Sequence, residues 1–158
     1  MLTQVAEELD SWIVRRNVEA HDEGVALIAS CEIKLVGQQA LVELAAPLTL
    51  AATTDVDVRA NYSHAVEQEF GRLLARRGKS LDPLGREIWM PRETHYTELF
   101  AGPYVTLRVA DIDSVLVFKA LKAPEKNHAL IVEYLAKSAS TRFLSLAAKY
   151  QVDLERFL

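Results

Sequence analysis

Two short segments of alternating apolar and polar residues restrict the folds that this chain can adopt. They are EIKLV at 32–36 and TTDVDVR at 53–59. Because side chains two positions apart lie on one face of a β-strand, each segment predicts a strand with one buried face. Apolar residues at helical spacing flank both segments, and helical patterns dominate after Asp111. Strands that alternate with helices predict an α/β (or α+β) class with a C-terminal helical layer.

Spacing, caps and breakers predict the remaining elements. The predicted helices cover 3–17, 21–30, 37–45, 62–77, 112–122, 127–138 and 140–150, with a short tail at 152–157. The other predicted strands cover 87–90 and, as a hairpin around Ala-Gly-Pro, 97–100 and 104–109. Asn61 and Asp111 are the expected N-caps of the helices that follow them.

Composition limits the class of protein. The chain has 158 residues, of which 50% are hydrophobic and 25% charged, and its net charge is −4. This length predicts one domain over 1–158, with a core at about 30–110 and C-terminal helices at about 111–158. The negative net charge argues against a protein that binds nucleic acid over a broad part of its surface. A single cysteine, Cys31, excludes an internal disulfide.

Targeting signals are also missing from the sequence. No apolar run approaches the ~18 residues that a membrane span requires. The first ten residues, MLTQVAEELD, lack the basic region and apolar stretch of a signal peptide. We therefore expect a cytoplasmic protein without a membrane partner.

Asp55 and Asp57 are the strongest candidates for chemistry. Their period-two spacing puts both carboxylates on one strand face, while Val56 and Val58 point to the core. Two carboxylates this close repel each other, and a shared hard cation such as Mg²⁺ relieves that repulsion. The alternative is a solvated strand face, on which Arg59 pairs with an aspartate.

Gly37 lies where the first predicted strand passes directly into a helix. A missing Cβ lets the chain turn sharply or lets a ligand approach the backbone. Backbone N–H groups at a helix start favour anionic phosphate. A phosphate-binding turn beside a strand with two carboxylates predicts nucleotidyl-transfer chemistry.

Lys119 falls on the apolar stripe of the predicted helix at 112–122. An inward lysine costs desolvation energy unless its ammonium finds an anion, either a phosphate or one of the aspartates. The alternative is that its stem is covered while its ammonium reaches solvent.

These segments resemble the nucleotidyltransferase superfamily of the DNA polymerase β type, in particular its small bacterial branch among abortive-infection and toxin–antitoxin proteins. That branch has an apolar strand ending in Gly-Gly-x-Ala-Leu and then Thr-x-Asp-hydrophobic-Asp. Here the matching stretches read LVGQQAL at 35–41 and TTDVDV at 53–58. A later strand and lysine-bearing helix match VTLRVADIDSVLVFKALKA at 105–123, with Lys119 at the lysine position. The similarity spans about 33–135.

The resemblance implies a mixed sheet of about four to five strands flanked by helices, and a site for nucleoside triphosphate. Asp55 and Asp57 would bind Mg²⁺ or Mn²⁺. Members usually have a third carboxylate on a following strand, for which Glu87 is the first candidate and Glu93 the second. Gly37 would let the triphosphate approach the backbone. Gln38, Lys119 and Arg59 are further candidates for contacts with the nucleotide, from their own positions in the sequence.

Two departures from the branch matter for function. Gln38 replaces its second glycine, and the aspartate of its Lys-then-Asp pattern is missing from PEKN at 124–127. The expected function is Mg²⁺-dependent transfer of a nucleoside monophosphate to a hydroxyl on RNA, such as tRNA, or on protein, in a toxin–antitoxin or phage-defence system. The alternatives are an inactive module of the same fold that binds nucleotide or a cognate toxin or antitoxin partner, and an unrelated α/β protein.

Overall fold

A computed structural model describes the chain from residue 1 to residue 158, with the side chain at position 138 left aside. The helices are α1 (Leu2–Glu23), α2 (Gly37–Glu43), α3 (His64–Ala75), α4 (Ile112–Lys122), α5 (His128–Ser138) and α6 (Thr141–Lys149). The strands are β1 (Cys31–Val36), β2 (Asp55–Ala60), β3 (Ser80–Leu81), β4 (Tyr96–Ala101) and β5 (Val105–Ala110). Short 3-10 helices cover Gly85–Glu87 and Leu154–Phe157. The predicted α/β class with a C-terminal helical layer is confirmed.

The strands form one mixed sheet in the order β3–β2–β1–β5–β4. The central strand β1 runs antiparallel to β2 and parallel to β5. β3 runs parallel to β2, and β4 forms an antiparallel hairpin with β5. This arrangement confirms the predicted mixed sheet of about four to five strands. Among the described residues, no helix combines the length and hydropathy that crossing a bilayer requires.

The sheet has one apolar and one polar face, as the alternation in β1 and β2 predicts. In β2, Val56 and Val58 are buried, whereas Asp55, Asp57 and Arg59 are at least partly exposed. β1 and β5 show the same alternation of buried apolar and half-buried polar positions. The apolar side chains join those of α1 and α3 in one core cluster. The polar face is therefore the one available to ligands.

The predicted helix at 21–30 is wrong, because the first helix continues to Glu23. It ends at Gly24, whose φ of 69° places this C-cap in the left-handed region. Beyond it, Asn17 holds the chain in an extended form: its Oδ1 accepts from Ile28 N at 2.7 Å and its Nδ2 donates to Ile28 O at 3.0 Å. These two hydrogen bonds replace the ones that a second helix would make.

The predicted strand at 87–90 is also wrong. The 3-10 helix Gly85–Glu87 lies against β2, and an added Cβ at Gly85 would stand 2.9 Å from Val58 N. The residues after it are positioned by side-chain packing: Met90 is buried, and the Trp89 ring meets the Tyr150 ring edge-on at 5.1 Å. The alternation in EIWM reflects this packing.

The helix predicted at 3–17 begins at Leu2 but continues six residues beyond its predicted end, to Glu23. The other predicted helices are confirmed within two residues at each end. Asp111 caps α4 as predicted, with its side chain accepting from Ser114 N at 3.0 Å. Ser63, two residues after the predicted Asn61, caps α3. Asn61 instead accepts from Glu32 N at 2.8 Å and joins β2 to β1. α4 packs against both α2 and α6, so it brings the C-terminal layer to the end of β1.

Candidate functional site

Gly37 joins β1 to α2 at a position that only glycine can occupy without strain. Its φ is +72°, and an added Cβ would stand 2.4 Å from Asp57 Oδ2. The register of the sheet explains the contact, since Val36 pairs with Asp57 across β1 and β2. The sequence feature that predicted an approach to phosphate therefore also makes room for a carboxylate.

Asp55 and Asp57 lie on the polar face of β2, as predicted. Asp55 is exposed, and its Oδ1 accepts from Ser80 Oγ at 3.1 Å. Asp57 is half-buried, and its Oδ1 is a buried atom without a hydrogen-bond partner in the described part of the chain. A buried carboxylate oxygen without a donor is costly, so a cation or a donor from a ligand would stabilise it.

Asp82 is a third carboxylate at this site that the sequence did not reveal. β3 pairs with β2 through Asp55 opposite Ser80 and Val56 opposite Leu81, which brings the next residue, Asp82, level with Asp57. The backbone confirms the alignment, since Asp82 N donates to Val56 O at 3.0 Å. The Asp82 carboxyl group is near enough to Asp57 to help raise the pKa of the Asp57 carboxyl group.

The surroundings of Asp57 favour its neutral form. Burial is the largest cause, followed by the hydrogen bond with Asp82 and by the charges of Asp82 and Asp55; together they raise the pKa of Asp57 to about 6. Lys119 opposes them by attraction. A divalent cation between these carboxylates would remove the repulsion and return Asp57 to its charged form.

Lys119 lies on the inward face of α4, and its side chain is only 8% exposed, so the inward reading is confirmed. Its Nζ donates to Asn127 Oδ1 at 3.3 Å, a neutral partner. Burial and the nearby charge of Lys126 lower the pKa of Lys119 to about 8, while Asp57 opposes this effect. The ammonium therefore remains largely charged at neutral pH beside the carboxylates.

These groups line one cavity of about 550 Å³, which we call the acid cavity. Its wall includes Gly37, Asp55, Asp57, Asp82 and Lys119. Residues that are 82 positions apart in the sequence, from Gly37 to Lys119, thus meet where β1 ends and the antiparallel β2 begins. The volume lies within the range of small-molecule sites.

Gln38 also lines the acid cavity. Its Nε2 donates to Ala51 O at 3.1 Å and so ties α2 to the loop before β2. The Gln38 amide therefore positions this loop.

The structure does not bring the other predicted site residues into the acid cavity. Glu87 is exposed on the 3-10 helix, outside the lining. Glu93 is bound to Tyr150 and to Lys149 on the side of α6. Arg59 lines a different cavity, together with Tyr96. The sequence carries no signal for Asp82, because β3 has only two residues and shows no alternation.

The carboxylates of the acid cavity fit a Mg²⁺ ion that takes its other ligands from water and substrate. Among the described side chains, no three acidic, histidine or cysteine groups are placed to enclose a metal ion. Mg²⁺ does not need such an enclosure, since one or two carboxylates, water and substrate phosphate oxygens complete its six ligands. The unpartnered Oδ1 of Asp57 is the oxygen that the protein would supply as a metal ligand.

Comparisons with known proteins find no match for this chain, whether with protein-family models, with curated proteins or with solved structures.

Proposed function

We propose that the protein is a Mg²⁺-dependent nucleotidyltransferase that moves a nucleoside monophosphate from a nucleoside triphosphate to a hydroxyl group on RNA or protein. The observation that carries the proposal is the acid cavity, where Asp55, Asp57 and Asp82 meet Gly37 and Lys119. The resemblance of the 35–41 and 53–58 stretches to the small bacterial nucleotidyltransferases supports it. A cognate toxin or antitoxin partner, and a cytoplasmic location, belong to the same proposal.

Asp55 and Asp57 are the residues that would hold the metal ion. Bound there, Mg²⁺ would neutralise charge that develops on the phosphates during transfer. Lys119 places a buried positive charge on the same cavity wall, where a triphosphate is held by attraction. Low exposure strengthens this attraction, because water screens it less.

We assign Asp82 as the base that accepts the proton of the attacking hydroxyl. The hydroxyl oxygen forms a bond to the α-phosphorus, pyrophosphate leaves, and the hydroxyl proton must go to a base. Asp82 is half-buried and lines the same cavity as Asp57, beside which β3 places it. The proton acceptor is thus within the cavity that holds the phosphates.

Transfer of label tests the proposal directly. Purified protein is incubated with Mg²⁺ and each α-³²P-labelled nucleoside triphosphate, with total tRNA added or omitted. We expect label on the RNA or on the protein itself, and none with Asp57→Ala. Transfer by Asp57→Ala at the wild-type rate would refute the assignment.

A second candidate function is a module of the same architecture that binds nucleotide or a protein partner without catalysis. The hydrogen bond from Gln38 to Ala51 O favours it, because it fixes a side chain where the branch leaves space. Calorimetry with ATP, CTP, GTP and UTP in Mg²⁺ separates the candidates. Heat for one nucleotide without transfer supports a binding module, and no heat for any nucleotide contradicts both nucleotide-dependent functions.

A further inference from the structure

A second cavity, of about 570 Å³, lies further along the polar face of the sheet, and we call it the basic cavity. Its wall includes four cationic side chains and one carboxylate: Lys34, Arg59, Arg86, Arg92 and Glu32. This is a local excess of positive charge in a chain whose net charge is −4. The proposed nucleotidyl transfer uses none of these residues.

The sheet register forces two of these cations together. Lys34 pairs with Arg59 across β1 and β2, and it pairs with Arg108 across β1 and β5. Three cations therefore stand in a row on the polar face. Like charges directly opposite on neighbouring strands destabilise a sheet. Since these positions face away from the core, packing does not require cations there.

The available carboxylates compensate only part of this charge. Glu32 contacts Lys34 at 3.5 Å and Arg108 at 3.0 Å, and Glu67 contacts Arg86 at 2.6 Å. In the described part of the chain, no ion pair joins a carboxylate to Arg59 or to Arg92. Two guanidinium groups thus line this cavity without a carboxylate partner in the described part of the chain.

We infer that the basic cavity binds a phosphate group through Arg59 and Arg92. Each guanidinium offers a planar fork of donors that matches phosphate oxygens in pairs. Lys34 and the Asn61 side chain line the same cavity. This surplus of donors and charge suits a phosphate, with three acceptor oxygens and a charge of −1.5 to −2 for a terminal group, better than a single carboxylate.

Two sources of phosphate fit this chemistry: a free phosphate compound and a polynucleotide. Inorganic pyrophosphate, measured by calorimetry, is the probe for the first. A fluorescein-labelled single-stranded RNA of twelve nucleotides, measured by anisotropy at several salt concentrations, is the probe for the second. Both are tested in EDTA, where the carboxylates of the acid cavity repel anions. The experiment therefore uses neither Mg²⁺ nor nucleoside triphosphate, and its failure is distinct from failure of the proposed function.

The variants are Arg59→Gln and Arg92→Gln, one on a strand and one on a loop, so that a folding defect in one leaves the other informative. Arg76→Gln is the matched control, because Arg76 is exposed at the end of α3 and outside the basic cavity. We expect each cavity variant to weaken binding about tenfold, and Arg76→Gln to change it less than about twofold.

The outcomes separate the sources. Binding of RNA, with a log–log salt slope that falls by about 0.7 for each lost contact, identifies a polynucleotide. Binding of pyrophosphate alone identifies a free phosphate compound. The inference is overturned if neither probe binds, or if both cavity variants bind as the wild type does.

Discussion

The polar face of the sheet carries two cavities of nearly equal volume and opposite charge. The acid cavity, about 550 Å³, gathers Asp55, Asp57 and Asp82; the basic cavity, about 570 Å³, gathers Lys34, Arg59 and Arg92. Both use the same face of β2. The strand thus changes from a negative to a positive surface between Asp57 and Arg59, over two residues.

The segment at 88–90, directly after the 3-10 helix Gly85–Glu87, lies between the two cavities. Ile88 lines the acid cavity, and Met90 lines the basic one. Opposite charges cancel in the net charge of −4, so that value does not reveal this boundary. Charge must therefore be followed along each strand face, since the net charge reveals neither cavity.

The largest expected effect concerns which carboxylate completes the acid cavity. Asp82→Asn removes the group beside Asp57, so we expect nucleotidyl transfer to fall at least about 100-fold. Glu87→Gln is the matched control, because Glu87 is exposed and outside the cavity, and it should retain wild-type transfer. Initial rates with labelled nucleotide measure both. The opposite ranking would return the third carboxylate to Glu87.

The next effect separates backbone strain from crowding at the acid cavity. Gly37 and Gly78 both have positive φ, +72° and +70°, but an added Cβ meets Asp57 only at Gly37. We expect Gly78→Ala to cost about 1 kcal/mol of unfolding free energy, from the left-handed backbone alone. Gly37→Ala should cost about 2–4 kcal/mol, because crowding adds to that strain. Urea unfolding measures both, and equal costs would contradict the close contact.

A smaller effect is the pH dependence of stability in the metal-free protein. The folded pKa of Asp57, about 6, exceeds its unfolded value of 3.8, so the native state binds more protons between these pH values. Stability therefore rises as pH falls from about 6.5 to 4 and is lowest above pH 6.5. Asp57→Asn should stabilise the protein at pH 8 by about 1 kcal/mol, since exposure weakens the effect.

Thermal unfolding at pH 8 and at pH 5 measures this difference, with Asp22→Asn on an exposed part of α1 as the control. A gain of about 1 kcal/mol corresponds to about 2–4 °C for a chain of this size. Asp57→Asn with an unchanged or lower melting temperature at pH 8 would show that Asp57 is not strained by its neighbours.

The smallest effect belongs to the basic cavity. Glu32→Gln removes the carboxylate that Lys34 and Arg108 share, which leaves Glu98, 3.8 Å from Arg108, as the remaining partner of the cationic row. Because these side chains are more than a third exposed, we expect a loss of about 0.5 kcal/mol that shrinks in high salt. Phosphate or sulfate should restore the loss if the basic cavity binds anions, and an equal response in chloride alone would contradict that.

Much of the fold follows from local signals in the sequence. β1 and β2 show clean alternation, α4 begins at an Asp cap, and Gly37 marks the turn between strand and helix. These are features that neighbouring residues determine among themselves. The segments at 21–30 and 87–90 were mispredicted because distant partners decide their shape: Asn17 holds Ile28, and Tyr150 holds Trp89.

The candidate site was predictable to the extent that strand spacing decides it. Asp55 and Asp57 share a face because they are two residues apart, and Lys119 is buried because its helix has an apolar stripe. Asp82 depends on strand pairing between β2 and a strand of two residues, which leaves no periodic pattern. Arg59 lies on the same face of β2 as Asp57, as predicted. It does not reach the acid cavity, because the segment at 88–90, for which a strand is predicted, lies between the two cavities.

The fit of Gly37 against Asp57 has a genetic consequence. A mutation at position 37 brings a methyl group to 2.4 Å from a carboxylate oxygen, so the strain it creates depends on the side chain at position 57. A shorter residue there, as in the double variant Gly37→Ala with Asp57→Gly, would relieve the clash while removing the acid. The left-handed backbone at position 37 still strains any other residue, so loss of the glycine costs less, but not nothing, once the acid at position 57 is gone.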